Sequence, residues 1–185
     1  MNVSWFSFFP FFRLGREIQT SEDKGHLQIL YFYAALRYQI AARFCTIAEF
    51  SPVSGNTYHH AIEFYLKGAL IEKLDEERRR NFSHDVRKLW RVYKKEFADP
   101  SLNKFDRTIA GLHKFERIRY PEQISTNGMT SEVGFVRNTA VFPSSTRYEL
   151  VVDELDELVK VIFETIVLDS LSESQRSHGF DGQFW

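Results

Sequence analysis

Apolar residues recur at steps of three and four along five stretches of this chain, which is the spacing of one face of an α-helix. We predict a first helix from Gly25 to Glu49 and a second from Thr57 to Arg79. The stretch 51–56, Ser-Pro-Val-Ser-Gly-Asn, is rich in residues that break or cap helices and is predicted to be the loop between them. The predicted inward-facing residues are Leu27, Leu30, Tyr31, Ala34, Tyr38, Ala41, Ala42 and Cys45 in the first helix and Ala61, Phe64, Tyr65, Ala69 and Leu70 in the second.

Three further helices are indicated by their capping residues as well as by their periodicity. Ser83 is a suitable N-cap for a third helix, with Asp85 in its first turn. Asp99 and Pro100 read as the N-cap and first residue of a fourth. The segment 146–149, Thr-Arg-Tyr-Glu, fits a capping box that opens the last helix. The apolar stripes are Val86, Leu89, Trp90, Tyr93 and Phe97, then Leu102, Phe105, Ile109 and Leu112, then Tyr148, Val151, Val152, Leu155, Leu158, Val159, Ile162 and Ile166.

The helical pattern is interrupted over residues 122–145, which are rich in Ser, Thr, Gly and Asn. Within this insertion, 134–136 and 139–142 could be two short strands that turn at residues 137–138. The sequence therefore predicts an all-α fold: an antiparallel bundle of about five helices over residues 25–170, with an irregular or short β-hairpin insertion before the last helix. We expect an aromatic N-terminal arm at 1–24 and a polar C-terminal tail at 171–185.

Composition narrows the classes of function. The net charge is −1 and the pI about 6.6, so no overall basic field attracts nucleic acid, and any RNA contact needs a local patch. The single cysteine, Cys45, forms no internal disulfide and no cysteine-based zinc cluster, which favours the cytoplasm. The N-terminal aromatic run is too short for a transmembrane segment and is broken by Pro10. We expect it to pack on the body or on a partner chain, with shallow membrane attachment as the alternative.

No glycine-rich phosphate loop or zinc-protease motif is present in the sequence. His59, His60 and Glu63 lie close enough along the second helix to ligate a metal, with a third ligand from His84 or His113. The alternative is that these are solvated or capping residues at the start of that helix. We favour this alternative and therefore expect no metal and no cofactor.

Positive charge is concentrated around the third predicted helix. Arg78, Arg79 and Arg80 precede it, and Arg87, Lys88, Arg91, Lys94 and Lys95 lie along it. Lys88, Arg91 and Lys95 share one face, so they form a positive strip beside Trp90 and Tyr93 that could hold phosphates. The alternative is an ordinary solvated helix face, partly neutralised by Glu76, Glu77 and Glu96.

Three segments resemble motifs of one family in their order along the chain. Residues 63–69, Glu-Phe-Tyr-Leu-Lys-Gly-Ala, are similar to the E-x-x-L-K-A pattern of HEPN (higher eukaryotes and prokaryotes nucleotide-binding) domains. Residues 84–89 resemble their H-D-L-x-x-L segment, and residues 119–121 their R-Y-P segment. The resemblance implies a helical bundle, often dimeric, from a family rich in RNA-processing toxins, antiviral systems and partners of nucleotidyltransferases.

Catalytic HEPN proteins carry an arginine followed by four to six residues and a histidine, which together assist attack of an RNA 2′-OH on the neighbouring phosphate. Arg79 with His84 fits this pattern across a turn, and Arg78 with His84 fits it as well. Arg107 with His113 also fits, but the two would lie about 240° apart around one helix and diverge. The histidine also belongs to the H-D-V segment, which family members without nuclease function share.

Two hypotheses follow. The first is a binding module for RNA, a nucleotide or a partner protein in a prokaryotic defence, toxin–antitoxin or regulatory setting, and the second is a metal-independent ribonuclease that uses Arg79 and His84. The expected partners are RNA or a nucleotide, a second copy of the chain, and a nucleotidyltransferase-type or antitoxin protein. The ligand-binding residues predicted for the module are Arg80, Lys88, Arg91, Lys95, Arg119 and Tyr120.

Overall fold

A computed structural model describes residues 21–82, 84–117, 130–135 and 147–177. Within these ranges the chain forms six α-helices, one 3-10 helix and two short strands, which confirms the predicted all-α bundle. The elements are α1 (Ser21–Ile47), α2 (Ser51–Ala69), α3 (Glu76–Asn81), α4 (Val86–Phe97), the 3-10 helix (Pro100–Phe105), α5 (Asp106–Arg117), β1 (Thr130–Gly134), β2 (Arg147–Val151) and α6 (Val152–Ser177). The predicted arm up to residue 20, most of the insertion, and Arg119 and Tyr120 lie outside the described residues.

The helix α2 begins six residues earlier than predicted, so the expected loop at 51–56 was wrong. Pro52 lies in the first turn of the helix, where its missing N–H costs no hydrogen bond. Gly55 lies against Phe115 so closely that a Cβ atom there would come within 2.0 Å of the ring. The residues that suggested a loop therefore start a helix and let it pack tightly on α5.

The second predicted helix is divided in two. Helix α2 ends at Ala69, a turn follows, and α3 begins at Glu76. Leu70, Ile71 and Leu74, all in the turn, are buried. A continuous helix would spread these side chains around its axis, whereas the turn places all three in the core.

The caps of the next two elements are aspartates. Asp85 caps α4 by accepting hydrogen bonds from the backbone N–H groups of Arg87 and Lys88, both at 3.1 Å, so the prediction that it lies in the first turn was wrong. The predicted cap, Ser83, lies outside the described residues. Asp99 is an N-cap as predicted and accepts from the N–H of Ser101, but the element it opens is a 3-10 helix that leads into α5.

The two strands pair in parallel, with Thr130 opposite Arg147 and Gly134 opposite Val151. A parallel pair needs a crossover connection, so these strands do not form the predicted hairpin. The predicted strand at 134–136 was misplaced, because β1 ends at Gly134 and Phe135 is a bend; residues 139–142 lie outside the described part. The predicted capping box at 146–149 was wrong as well, because residues 147–151 form β2 and α6 starts only at Val152.

The core lies between α2 and the surrounding helices and contains most of the predicted inward residues. Tyr65 and Leu66 of α2, Trp90 and Tyr93 of α4, and Leu158 of α6 are buried there. In α1 the fully buried positions are Ala35 and Ala42, whereas the predicted Tyr38 and Ala41 are exposed. Small side chains at the two buried positions let α1 lie close to α2. No helix among the described residues is both long and apolar enough to cross a lipid bilayer.

Candidate functional site

His59 is a buried ring on α2 that joins three elements. Its Nε2 atom lies 2.9 Å from the carbonyl oxygen of His84, just before α4, and its Nδ1 atom lies 3.0 Å from the carbonyl oxygen of Leu112 on α5. The ring is 1% exposed. Its two nitrogens are thus occupied by backbone contacts, so His59 fixes the position of the His84 backbone and is not available as a metal ligand.

Glu63, one turn further along α2, is a buried carboxylate surrounded by three nitrogen-bearing side chains. Lys67 Nζ lies 2.6 Å from Oε1, whereas the Nδ1 atoms of His84 and His60 lie 3.1 Å and 3.6 Å from Oε2. Burial by itself raises the pKa of this carboxyl, but the nearby His60 ring and the hydrogen bonds from Lys67 and His84 outweigh it and lower the pKa to about 2. Glu63 is therefore ionised at neutral pH.

His60 and His84 approach Glu63 from different elements. His60 is on α2, whereas His84 lies in the turn before α4, and their rings meet edge to face with centroids 5.9 Å apart. One potential ligand atom from each of His60, Glu63 and His84 lies within 4.8 Å of the others. The His84 side chain is 52% exposed, so solvent reaches the cluster from its side. We call these three residues the His–Glu–His cluster.

Arg79, the predicted catalytic arginine, is buried in α3 with 6% exposure. Its guanidinium donates to the carbonyl oxygens of Ile71, at 3.2 Å, and of Leu74. These carbonyls belong to the turn after α2, so Arg79 closes that turn. His84 contacts Glu63 instead. The two residues of the predicted Arg79–His84 pair therefore make separate contacts in the described structure and do not face each other's partners.

The predicted basic strip on α4 is present as an exposed surface. Arg87, Lys88, Arg91 and Lys95 are all exposed, and we call them the α4 basic face. Lys88 lies 3.5 Å from the Asp85 carboxylate, but within the described ranges Arg87, Arg91 and Lys95 form no ion pair. Lys94 is not part of this face, because it binds Asp106 and Asn103. Arg80 belongs to α3.

The two aromatic residues expected beside this strip have a different role. Trp90 and Tyr93 are buried and stack on each other with ring centroids 5.5 Å apart. Trp90 Nε1 donates to Asp106 at 2.7 Å. Both rings belong to the core, so neither is free to stack on a base.

The second Arg–His pair diverges as its helical spacing predicts. Arg107 Nη2 lies 3.8 Å from Glu149 on β2, whereas His113 Nδ1 lies 3.8 Å from Asp85 at the start of α4. Burial, as the main cause, lowers the pKa of His113. The two side chains thus serve different contacts and form no joint site.

One surface was missed by the sequence analysis. Helix α1 carries a second apolar stripe on the side away from the core, at steps of four, three, four, four and three. Its members, which we call the α1 stripe, are Ile29, Tyr33, Leu36, Ile40, Phe44 and Ile47, each between 46% and 69% exposed. Large exposed apolar patches usually mark interaction sites. The signal was in the sequence, but α1 is apolar on two sides and only the packing shows which side is covered.

Comparison with known proteins gives one family. The family model described as the HEPN domain matches residues 30–138, which is more than half of the chain. Most of α1, all of α2 to α5, and the motif segments on α2 and at the start of α4 fall within that match, whereas β2 and α6 lie beyond it. No curated protein and no solved structure matches the chain significantly.

The fold and the matched segment define an α-helical module of a nucleotide- and RNA-related class. The chain belongs to the HEPN domain family.

Proposed function

We propose that this protein is an RNA-binding HEPN module that holds the RNA backbone on the α4 basic face. The observation that carries the proposal is the exposure of Arg87, Arg91 and Lys95 together with the absence, within the described structure, of a carboxylate paired with any of them. Exposed cations that are not paired with a carboxylate can exchange their counter-ions for phosphates, and this release contributes most of the free energy of backbone binding.

The dimensions of the face favour a strand over a single nucleotide. Arg87 and Lys95 are eight residues apart, which corresponds to about 12 Å along the helix axis. A mononucleotide presents its charge at one point, whereas a strand presents successive phosphates to a row of cations. With Trp90 and Tyr93 buried, we expect contacts to the backbone and little base selectivity.

The ribonuclease alternative requires Arg79 and His84 to act together on one phosphate. Arg79 would have to leave two backbone carbonyls and a buried position, and the Nδ1 atom of His84 faces Glu63. Breaking buried charge-assisted hydrogen bonds is costly. The contacts of Arg79 thus support the binding module over the nuclease.

The binding experiment measures fluorescence anisotropy of labelled single-stranded RNA over a range of salt concentrations. For a variant with Arg87→Glu, Arg91→Glu and Lys95→Glu, we expect weaker binding and a salt slope that is shallower by about 2. The matched control replaces Arg107, Lys114 and Lys160 by Glu; these are exposed cations elsewhere, and the change in net charge is the same. Equal losses in both variants would show that the α4 basic face is not the site.

The same RNA incubated with wild-type protein in EDTA tests the alternative. We expect intact RNA at high protein concentration. Cleavage that disappears in a folded His84→Ala variant would replace the binding module by the ribonuclease.

The proposal includes a homodimer formed through the α1 stripe. The stripe extends over about 27 Å of helix, and its spacing is that of the seam between two packed helices. Two copies related by a twofold axis would cover each other's stripe with the same residues. The nucleotidyltransferase-type or antitoxin partner, the defence or toxin–antitoxin setting and the cytoplasmic location remain predictions from the family resemblance and the cysteine content.

A further inference from the structure

The His–Glu–His cluster combines features that are unusual for a purely structural ion pair. Two imidazoles from different elements direct nitrogen atoms at the same oxygen, Oε2 of Glu63. Lys67 already neutralises the carboxylate through the other oxygen, Oε1. The charge of Glu63 therefore has a partner without either histidine, and the convergence of the two rings needs a separate explanation.

We propose that His60, Glu63 and His84 form a zinc-binding site, with His60 Nδ1, Glu63 Oε2 and His84 Nδ1 as the ligand atoms. Two histidines and a carboxylate are a ligand set that zinc accepts in open sites. Imidazole nitrogens and carboxylate oxygens bind zinc at about 2.0–2.2 Å, so tetrahedral ligand atoms lie about 3.3 Å apart. The distances of 3.1 Å and 3.6 Å to Oε2 lie near this value, and one potential ligand atom from each of the three residues lies within 4.8 Å of the other two.

The surroundings of the ligands fit a site that is held on one side and open on the other. Lys67 orients the Glu63 carboxylate through Oε1 and leaves Oε2 for the ion. His59 fixes the backbone of His84 through the 2.9 Å contact. The exposed His84 ring leaves the fourth position open to a water molecule. The positive charge of Lys67 opposes the ion, so we expect weaker binding than in a closed structural site with four protein ligands.

Zinc binding would also link two elements that the sequence separates by a turn and a short helix. His60 and Glu63 are on α2, and His84 immediately precedes the cap of α4. The ion would therefore fix the start of the helix that carries the α4 basic face. The zinc site does not depend on RNA binding. The zinc proposal can therefore be wrong while the RNA-binding proposal is right, and the reverse also holds.

The test is a titration of metal-free protein with Zn²⁺ by isothermal calorimetry, followed by Co²⁺ absorption spectroscopy as a direct probe of the ligand set. We expect one equivalent of Zn²⁺, and visible Co²⁺ bands that indicate a site with fewer than six ligands. In His60→Ala and His84→Ala we expect the affinity to fall at least about tenfold and the Co²⁺ bands to be lost. His26→Ala is the matched control, because this histidine is exposed on α1, and it should bind zinc as the wild type does.

Circular dichroism and the melting temperature distinguish the loss of a zinc ligand from the loss of the fold. The His84 side chain is half exposed, so His84→Ala is expected to stay folded by circular dichroism, and its melting temperature should no longer rise with added Zn²⁺. Absence of stoichiometric binding by the wild type would overturn the proposal. So would equal binding by the wild type and the His84→Ala variant.

Discussion

His59 Nε2 lies 2.9 Å from the carbonyl oxygen of His84, and this contact joins the middle of α2 to the residue before the cap of α4. The other ring nitrogen faces the Leu112 carbonyl at 3.0 Å. A neutral ring donates one of these hydrogen bonds and an imidazolium donates both. In either state, one buried side chain sets the relative position of α2, α4 and α5.

We therefore expect His59→Phe to destabilise the protein by about 2 kcal/mol, because a ring of similar size remains but no N–H reaches either carbonyl. Urea unfolding followed by circular dichroism measures the change. His26→Phe, at an exposed position of α1, should stay within about 0.5 kcal/mol of the wild type. Equal stability of the two variants would mean that His59 does not hold the α2–α4 junction.

The lowered pKa of Glu63 predicts how the free energy of unfolding depends on pH. Its pKa in the folded protein is about 2, below the ordinary value of 4.5, so the unfolded chain takes up the proton first as the pH falls. The stabilisation, on the order of 3 kcal/mol, is fully present above about pH 5 and is lost between about pH 5 and pH 2. Glu63→Gln should be less stable at pH 7 and should lack this loss.

Urea unfolding at a series of pH values checks the prediction. Glu96→Gln is the control, because Glu96 is exposed on α4, and this variant should keep the acid-dependent loss of the wild type. A Glu63→Gln variant that follows the wild-type curve would contradict the role given to the buried carboxylate.

We expect Arg79 to stabilise the folded protein and to have no part in RNA binding. Arg79→Met keeps most of the apolar stem and removes the donors to Ile71 and Leu74, so we expect a loss of about 2 kcal/mol in the free energy of unfolding. RNA affinity measured well below the melting temperature should not change. Arg78→Met, at the neighbouring exposed position, is the control for both measurements. Loss of RNA cleavage in a stable Arg79→Met protein would instead assign Arg79 to a catalytic pair.

The α1 stripe predicts the oligomeric state. We expect a dimer at micromolar concentrations by size-exclusion chromatography with light scattering, and a monomer for the double variant Ile40→Glu, Phe44→Glu. Both positions are exposed in the single chain, so the charges should disturb the interface and not the fold. Ala110→Glu, an exposed position on α5, should remain dimeric. A monomeric wild type would contradict the homodimer, and the α1 stripe would then be a surface for another partner.

Local patterns in the sequence were sufficient to predict the elements that have a regular apolar periodicity or a clear capping residue. The apolar periodicity of α4 predicted its buried residues Val86, Leu89, Trp90 and Tyr93, and Asp99 capped the following element as expected. The sequence also predicted the family and the cluster of cations on α4. These features depend on residues within a few positions of one another, where side-chain spacing and capping chemistry act directly.

Contacts between distant segments were decided by the tertiary structure. Pro52 and Gly55 look like loop residues until Phe115 lies against the helix, and residues 147–151 form a strand only because β1 pairs beside them. The sequence alone determined most of the helical segments, where most of their apolar faces lie and which family they belong to. Only the tertiary structure buried Arg79, exposed the α1 stripe and directed His60 and His84 at Glu63. The reason is that burial and convergence depend on which elements pack together, and helical periodicity carries no information about that choice.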